Sequence, residues 1–174
     1  MNASELSSMF EALAPEPEWG LPEEVFLTLS RLTPMVNVDL LIRDASGRVL
    51  LSWREDSFYP AGWHIPGGII RFREKIEHRI AEVARLELGG EVTTAGGLLC
   101  VHEFVEPVRR TRGHFISLLY GCVLQSGPSP ELEFRGGVPR HGQWAWFRSC
   151  PENLLKVHEV YRNFICSGGK RDIS

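Results

Sequence analysis

The helix-forming stretch of residues 75–88 constrains the fold of this chain more than any other segment. Ile76, Ile80, Val83 and Ala84 recur there at helical spacing, which predicts a helix with one apolar face. Segments typical of strands lie on both sides of it in the sequence, at 35–44, 45–53, 92–105, 114–125 and 141–149. A helix with such a face, flanked by strands, predicts an α/β domain with a mixed sheet.

Further helices are predicted at residues 3–14, 21–32 and 157–165, so the mixed β-sheet is expected to be sandwiched between α-helices. The first two strands, at 35–44 and 45–53, have the pattern of a hairpin. We divide the chain into an N-terminal helical extension (1–20), one main domain (21–167) and a C-terminal tail (168–174).

Composition excludes several classes of function. The chain has 174 residues, 24% of them charged, a formal net charge of −3 and no long run of lysine or arginine. That balance argues against a broad nucleic-acid-binding surface. No apolar stretch approaches the roughly 18 residues that a membrane helix needs. Because the first residues are polar and acidic rather than signal-like, we expect a cytoplasmic protein that binds neither nucleic acid nor membrane.

The apolar face of the central helix continues to an acid, Glu87. A carboxylate there would be partly desolvated and would face the negative end of the helix dipole, just before the expected left-handed cap at Gly89. A bound cation would remove both penalties. In the alternative interpretation, Glu87 turns to solvent or pairs with Arg85 or with an arginine of a strand.

A proline-glycine-glycine turn precedes this helix and ends at Gly68. Glycine lets the backbone approach a ligand closely and exposes a carbonyl oxygen. Magnesium binds carbonyl and carboxylate oxygens and keeps several waters, which leaves room for a diphosphate. Glu74 follows at the start of the helix, where it either contributes to such a site or is simply a favourable charge at the N-terminal end.

The spacing of these residues resembles the Nudix box, Gly-x5-Glu-x7-Arg-Glu-U-x-Glu-Glu-x-Gly-U, where U is a bulky aliphatic residue. The chain retains four positions of the box, namely Gly68, Glu74, Glu87 and Gly89. It has Glu82 where the box has arginine, and Val83 and Leu86 where the box has acids. The resemblance implies a Nudix fold and a hydrolase of nucleoside diphosphate derivatives.

Within that family, residues 21–166 are most similar to the GDP-mannose mannosyl hydrolase branch. That branch also lacks the two acids and attacks the sugar carbon rather than phosphorus. The shared features are Thr33-Pro34, Asp39, DASGRVLLSWRE, GWHIPGG, Glu87-Leu88-Gly89, residues 93–96, and His141 followed by a strand with Trp144 and Trp146.

The resemblance implies a set of site residues. Glu87 and the Gly68 carbonyl would bind Mg2+, or Mn2+, with Glu74 as a further ligand. His141 would be the general base, although it is equally interpreted as an ordinary surface histidine. Arg54 would contact the leaving diphosphate, unless it pairs with a neighbouring acid.

Asp39 would lie near the nucleotide, and as an acid in an apolar strand it needs a polar partner. The resemblance also implies a homodimer, with the N-terminal helices as its expected contacts.

Three positions depart from the branch. Arg140 occupies the place of a metal-binding glutamine, Ile69 that of an arginine, and Glu82 that of the box arginine. Arg140 cannot bind a metal, but its charge would suit a diphosphate. The basic loop 106–114 either meets a phosphate or a base, or is a solvated hairpin loop.

Three functions therefore remain open. The first is a Mg2+-dependent hydrolase of a nucleoside diphosphate sugar resembling GDP-mannose, with the nucleoside diphosphate as leaving group. The second is a pyrophosphatase that cuts a nucleoside diphosphate derivative at phosphorus. The third is a degenerate, non-catalytic module that binds a nucleotide or a sugar.

Overall fold

A computed structural model describes residues 2–166 of the chain. Its helices are α1 (Ala3–Leu13), α2 (Glu23–Leu29), α3 (Ile76–Val83) and α4 (Arg162–Cys166). Its strands are β1 (Met35–Ile42), β2 (Val49–Arg54), β3 (Gly62–His64), β4 (Gly67–Ile69), β5 (Glu91–Val105), β6 (His114–Ser126) and β7 (Trp144–Phe147). Short 3-10 helices lie at Pro17–Trp19, Pro130–Leu132 and Lys156–Tyr161, and a π-helical segment, Ala84–Leu88, extends α3.

The predicted helices and the five predicted strands are present, and the mixed α/β architecture is confirmed. Sequence patterns did not predict the two three-residue strands, β3 and β4, on either side of Ile65-Pro66. The division at residue 20 stays a prediction, and the predicted tail at 168–174 lies outside the described residues. No helix within residues 2–166 is long and apolar enough to cross a membrane.

The strands form two sheets. One has the order β4-β1-β6-β5, in which β1 is parallel to β6 and antiparallel to β4, and the other is the antiparallel sheet β3-β2-β7. The predicted hairpin of β1 and β2 therefore holds only at its turn. There Arg43 bridges to Val49, and the Asp44 carboxylate accepts the backbone N–H of Arg48 at 2.8 Å. Beyond the turn, β1 and β2 enter different sheets.

From residue 38 to residue 42, strand β1 is buried on both faces, because neighbouring residues belong to different apolar clusters. Leu40 packs in the cluster that contains Ile80 and Val83 of α3. Leu41, which points to the opposite face, packs with Tyr161 and Ile165 near the C-terminal end of the described chain. Helical segments thus cover both sides, as the sandwich prediction requires. Since α1 has no buried residue, its expected part in a homodimer stays a prediction.

Helix α3 and its π-helical extension end at Gly89, whose φ of 63° confirms the predicted left-handed cap. The face of α3 that carries Arg79 and Val83 lies against β4 with little space between them. A Cβ atom on Gly68 would stand 2.8 Å from Cγ2 of Val83, so only glycine allows this approach without a shift. A Cβ on Gly67 would stand 2.4 Å from Oδ1 of Asp39.

The contact between Gly68 and Val83 predicts a non-additive pair of substitutions. Gly68→Ala should lower the free energy of unfolding by about 1–3 kcal/mol, because the added methyl group overpacks the interface. In a Val83→Ala background the clashing atom is gone, so we expect the cost of Gly68→Ala to fall below about 1 kcal/mol. Urea denaturation of the four proteins measures this coupling.

Gly127→Ala is the matched control, since nothing lies within 4 Å of a Cβ at that position. We expect a change within about 0.5 kcal/mol. Equal costs of Gly68→Ala in the wild-type and Val83→Ala backgrounds would show that the proposed contact does not limit packing.

Candidate active site

A cavity of about 870 Å³ opens between the sheets and the N-terminal segment. Its lining brings together five of the seven predicted site residues: Asp39, Arg54, Gly68, Glu87 and His141. Two predicted residues, Glu74 and Arg140, do not line it. Aromatic side chains contribute much of the apolar lining, among them Phe26, Tyr59, Phe72, Phe104 and Phe115.

Glu87 faces the cavity with its side chain 28% exposed. Its Oε1 accepts the backbone N–H of Gly67 at 3.1 Å, and its Oε2 accepts the hydroxyl of Ser52 at 3.2 Å. Burial raises the pKa of this carboxyl from 4.5 to about 7. Arg85 pairs with Glu82 instead. The predicted position of Glu87 on the buried face is therefore observed, and its alternative pairing with Arg85 is not.

Ser52 and His64 extend this arrangement into the domain. Oγ of Ser52 lies 2.9 Å from Nε2 of His64, and Nδ1 of His64 lies 2.9 Å from the carbonyl oxygen of Ile65. Because a carbonyl only accepts, Nδ1 carries the proton of the neutral ring. Burial holds the pKa of His64 well below its ordinary value, so the ring is neutral and Nε2 accepts from Ser52.

The single hydroxyl proton of Ser52 cannot serve two acceptors at once. When Ser52 donates to His64, a protonated Glu87 completes the chain by donating to Ser52. When Glu87 is ionised, it competes with His64 for that proton. The charge on Glu87 therefore sets the direction of the hydrogen bonds. Ser52 and His64 were not among the site residues predicted from the sequence. The feature that could have indicated them is Ser52, a small polar residue in the apolar strand β2.

Asp39 is 3% exposed and has the polar partners that its burial requires. Its Oδ2 accepts the hydroxyl of Tyr161 at 2.8 Å, and its Oδ1 accepts the side-chain amide of Asn37 at 2.9 Å. Asn37 in turn accepts the hydroxyl of Ser117 at 2.9 Å. Burial nevertheless raises the pKa of Asp39 from 3.8 to about 7.

Arg54 pairs with Asp56, which agrees with the alternative that it pairs with a neighbouring acid. Its guanidinium lies 4.8 Å from the ring centroid of Tyr59. His141 lines the cavity, and its Nδ1 accepts the backbone N–H of Glu55 at 3.2 Å. With that bond in place, a neutral His141 carries its proton on Nε2.

Glu74 is fully engaged at the start of α3. Its carboxylate binds Arg79 through two hydrogen bonds of 2.8 Å each, and it accepts the N–H of Arg71 at 2.9 Å and a bond from His78 at 2.9 Å. Arg79 is buried and lies nearly one helical turn before Glu82, the position where the Nudix box has arginine. Arg79 was not among the predicted site residues, although the sequence places it five residues after Glu74.

Arg140 lies in an exposed turn, where its backbone N–H donates to Oε1 of Gln143 at 2.9 Å. Within residues 2–166 its guanidinium has no hydrogen bond or ion pair. Ile69 lines the cavity at β4 and places an aliphatic surface there. Of these two residues, only Ile69 belongs to the cavity lining.

The donor set for a cation is small. Among residues 2–166, no group of three or more His, Cys, Asp or Glu side chains is placed to bind a metal ion. The β1–β4 register pairs Val38 with Gly68, and Leu40 and Ile70 donate to Pro66 and Val36, so the Gly68 carbonyl faces β1.

The carbonyl of Gly67 faces the other way, on the side where its N–H binds Glu87. One carboxylate with one carbonyl fits Mg2+, which keeps waters and binds substrate phosphates.

The raised pKa values of Asp39 and Glu87 predict how stability depends on pH. Between pH 4 and 7 these two carboxyls retain protons in the folded chain that they release in the unfolded chain, so their contribution to the free energy of unfolding falls as pH rises. The buried imidazoles of His64 and His158, whose pKa burial lowers, contribute in the opposite direction. Asp39 alone should contribute a loss on the order of 3 kcal/mol. Denaturation in EDTA at pH 5 and pH 8, compared between the wild type and a variant without the Asp39 carboxyl, isolates this loss.

Asp39→Asn keeps the shape of the side chain and removes its titration. We expect the variant to match the wild type at pH 5 and to exceed its free energy of unfolding at pH 8. Parallel pH curves for the two proteins would contradict the assignment of the fall to Asp39.

Comparison with known sequences gives a partial match. No protein-family model matches the chain. Over 93 residues, 53% of this chain, it is 32% identical to the low-salt glycan biosynthesis protein Agl8 of Haloferax volcanii. The matched region spans 59% of the length of that protein.

Comparison with solved structures identifies the fold. The MutT Nudix hydrolase of Burkholderia pseudomallei has a TM-score of 0.59 and 21% identity, and the match covers 79% of this chain and 99% of that one. A possible asymmetric diadenosine tetraphosphate hydrolase of Jonesia denitrificans has a TM-score of 0.60 and 18% identity, with coverage of 79% and 95%. The protein therefore has the fold of the Nudix hydrolases.

Proposed function

We propose that this chain hydrolyses a nucleoside diphosphate sugar in a Mg2+-dependent reaction. The observation that carries the proposal is the carboxylate of Glu87, which is half-buried at the cavity and bound to the N–H of Gly67. Burial without a cationic partner makes the anion unfavourable, as its pKa of about 7 indicates. A cation bound at Glu87 would restore the ionised form.

The ligands for Mg2+ in this proposal are Glu87 and a carbonyl of the glycine turn. The strand register favours the carbonyl of Gly67 over that of Gly68, which the sequence pattern suggested. Mn2+ suits the same oxygen ligands. When bound, the metal would act as a Lewis acid that neutralises charge on the leaving diphosphate. Glu74 supports the start of α3 through Arg79 and does not supply a ligand.

The polar groups near Asp39 suit the sugar or the nucleoside. Asn37, Ser117 and His102 line the cavity beside the rings of Phe104 and Phe115. Sugar hydroxyls need both donors and acceptors, while an aromatic face packs against an apolar ring surface. The name of the Haloferax relative, a glycan biosynthesis protein, also supports a sugar in the substrate.

His141 is proposed to act on the attacking water or on the substrate. As a general base, His141 needs a ring nitrogen that is free to accept a proton. Nδ1 becomes free when its hydrogen bond from the backbone N–H of Glu55 breaks. While that bond is kept, Nε2–H donates a hydrogen bond to a substrate oxygen instead. This contact favours a second candidate, a pyrophosphatase that cuts the same class of substrate at phosphorus.

Glu87→Gln is the direct test. We expect the variant to lose at least about 100-fold in Mg2+-dependent hydrolysis of a panel of nucleoside diphosphate sugars, because the amide no longer offers a charge to the cation. Glu82→Gln is the control, since Glu82 pairs with Arg85 away from the cavity, and it should keep wild-type activity.

If the wild type hydrolyses no member of the panel with Mg2+ or Mn2+, the proposal fails. Calorimetry that detects a nucleotide sugar bound equally with and without Mg2+, again without turnover, would instead indicate a binding module.

Hydrolysis in heavy-oxygen water decides between the two reactions. Attack at the sugar carbon places the label in the free sugar, and attack at phosphorus places it in a phosphate product. We expect the label in the sugar and a loss of at least about 100-fold in kcat for His141→Ala. Label in the phosphate would replace the first reaction with the second.

A further inference from the structure

Three arginines gather beside the cavity from two separate parts of the chain. Arg54 ends β2, while Arg109 and Arg112 belong to the loop between β5 and β6. The guanidiniums of Arg54 and Arg109 lie 4.8 Å and 4.3 Å from the ring centroid of Tyr59. That of Arg112 lies 4.5 Å from Phe58 and 5.5 Å from Phe26. The aromatic rings therefore orient all three cations.

The cluster has less negative charge than positive charge. Asp56 pairs with Arg54 and also accepts the backbone N–H of Phe58 at 2.7 Å. Within residues 2–166, neither Arg109 nor Arg112 forms an ion pair with a carboxylate. Two of the three guanidiniums thus lack a counterion, and Arg112 lines the cavity.

Arg112 is unfavourably placed in a chain without a ligand. Its Nε–H is buried and has no hydrogen-bond partner among residues 2–166. Its backbone is left-handed, with φ of 54°, and the hydroxyl of Ser30 accepts its N–H at 3.1 Å. Unpaired buried donors and strained non-glycine residues both occur preferentially where proteins bind ligands. Burial, together with the charges of Arg54 and Arg109, lowers the pKa of Arg112.

We propose that Arg112 joins Arg54, already expected to contact the diphosphate, in a phosphate subsite that binds one phosphate of a diphosphate. This inference rests on the proposed function and assigns the loop 106–114 to substrate binding rather than to a solvated hairpin. The planar guanidinium offers several parallel N–H donors that match phosphate oxygens. Nε–H of Arg112 would then gain the acceptor that the protein does not provide.

The position of Arg54 connects this subsite to Glu87. The charge of Arg54 acts both on Arg112 and on Glu87, whose pKa it lowers. A diphosphate is the ligand class that suits this arrangement, with one phosphate toward Glu87 and the other at the arginines. No arginine of the cluster hydrogen-bonds to Glu87 or to Gly67, so the subsite can be tested without the metal.

Calorimetric titration of the full chain with inorganic pyrophosphate, in EDTA, tests the subsite alone. Arg112→Met keeps an unbranched apolar side chain that can pack against the aromatic rings but removes the charge and the donors. We expect this variant to lose about 10-fold to 100-fold in pyrophosphate affinity, the range for a hydrogen-bonded charge. Arg110→Gln is the matched control, because Arg110 is exposed in the same loop and should bind as the wild type does.

Thermal unfolding separates binding from structure. Since Arg112→Met removes an unpaired buried donor, we expect its Tm without ligand to equal or exceed that of the wild type. A lower Tm with unchanged pyrophosphate affinity would overturn the subsite and make Arg112 a structural residue. If Arg112→Met does not fold, Arg112→Lys decides, because it lacks the planar fork; affinity within twofold of the wild type would overturn the proposal.

The two proposals fail in different ways. A chain that binds pyrophosphate through Arg112 but turns over no nucleotide sugar supports the subsite and contradicts only the reaction. A chain that is active, and whose pyrophosphate affinity does not change in Arg112→Met, contradicts only the subsite.

Discussion

The adjacent glycines Gly67 and Gly68 allow a helix, a strand and the carboxyl groups of Asp39 and Glu87 to approach the same turn. Because Gly68 has no side chain, α3 approaches β4 closely enough for Val83 to pack over it. Because Gly67 has none, Oδ1 of Asp39 fits on one side of it while its N–H binds Glu87. The charge on Asp39 also raises the pKa of Glu87, so the two acids are coupled across this turn.

The cavity combines acids and arginines that are not matched to one another within the chain. Asp39 and Glu87 lie near the glycine turn with raised pKa values, and Arg112 lies at the β5–β6 loop without a counterion. A ligand that brings both a cation and phosphate groups would satisfy both regions at once. Neither region is readily explained by the stability of the empty fold, since buried unpaired polar groups destabilise it.

The imperfect Nudix box also has a structural explanation. Glu82 cannot pair with Glu74, but Arg79 does so from nearly one turn earlier and is buried in doing so. The ion pair at the start of α3 therefore uses an arginine that lies outside the positions of the Nudix box. The number of matched box positions therefore does not describe the local structure at the start of α3.

The sequence predicted features that depend on local periodicity, and missed those that depend on distant contacts. The apolar face of α3, the cap at Gly89 and the long strands follow from spacing within one segment. The separation of β1 and β2 into two sheets does not, because a strand buried on both faces has no alternation to read. Arg112 was not predicted either, because its hydrogen-bond partner Ser30 lies 82 residues away in the sequence.

Glu87 lies within the π-helical segment Ala84–Leu88, so its direction is sensitive to the length of this region. The N–H of Gly89 reaches the carbonyls of both Ala84 and Arg85, so the turn that carries Glu87 is wider than an α-helical turn. A one-residue insertion or deletion would rotate Glu87 by about 100° around the helix axis. The direction of Glu87 toward the cavity therefore depends on the number of residues that separate it from Gly68.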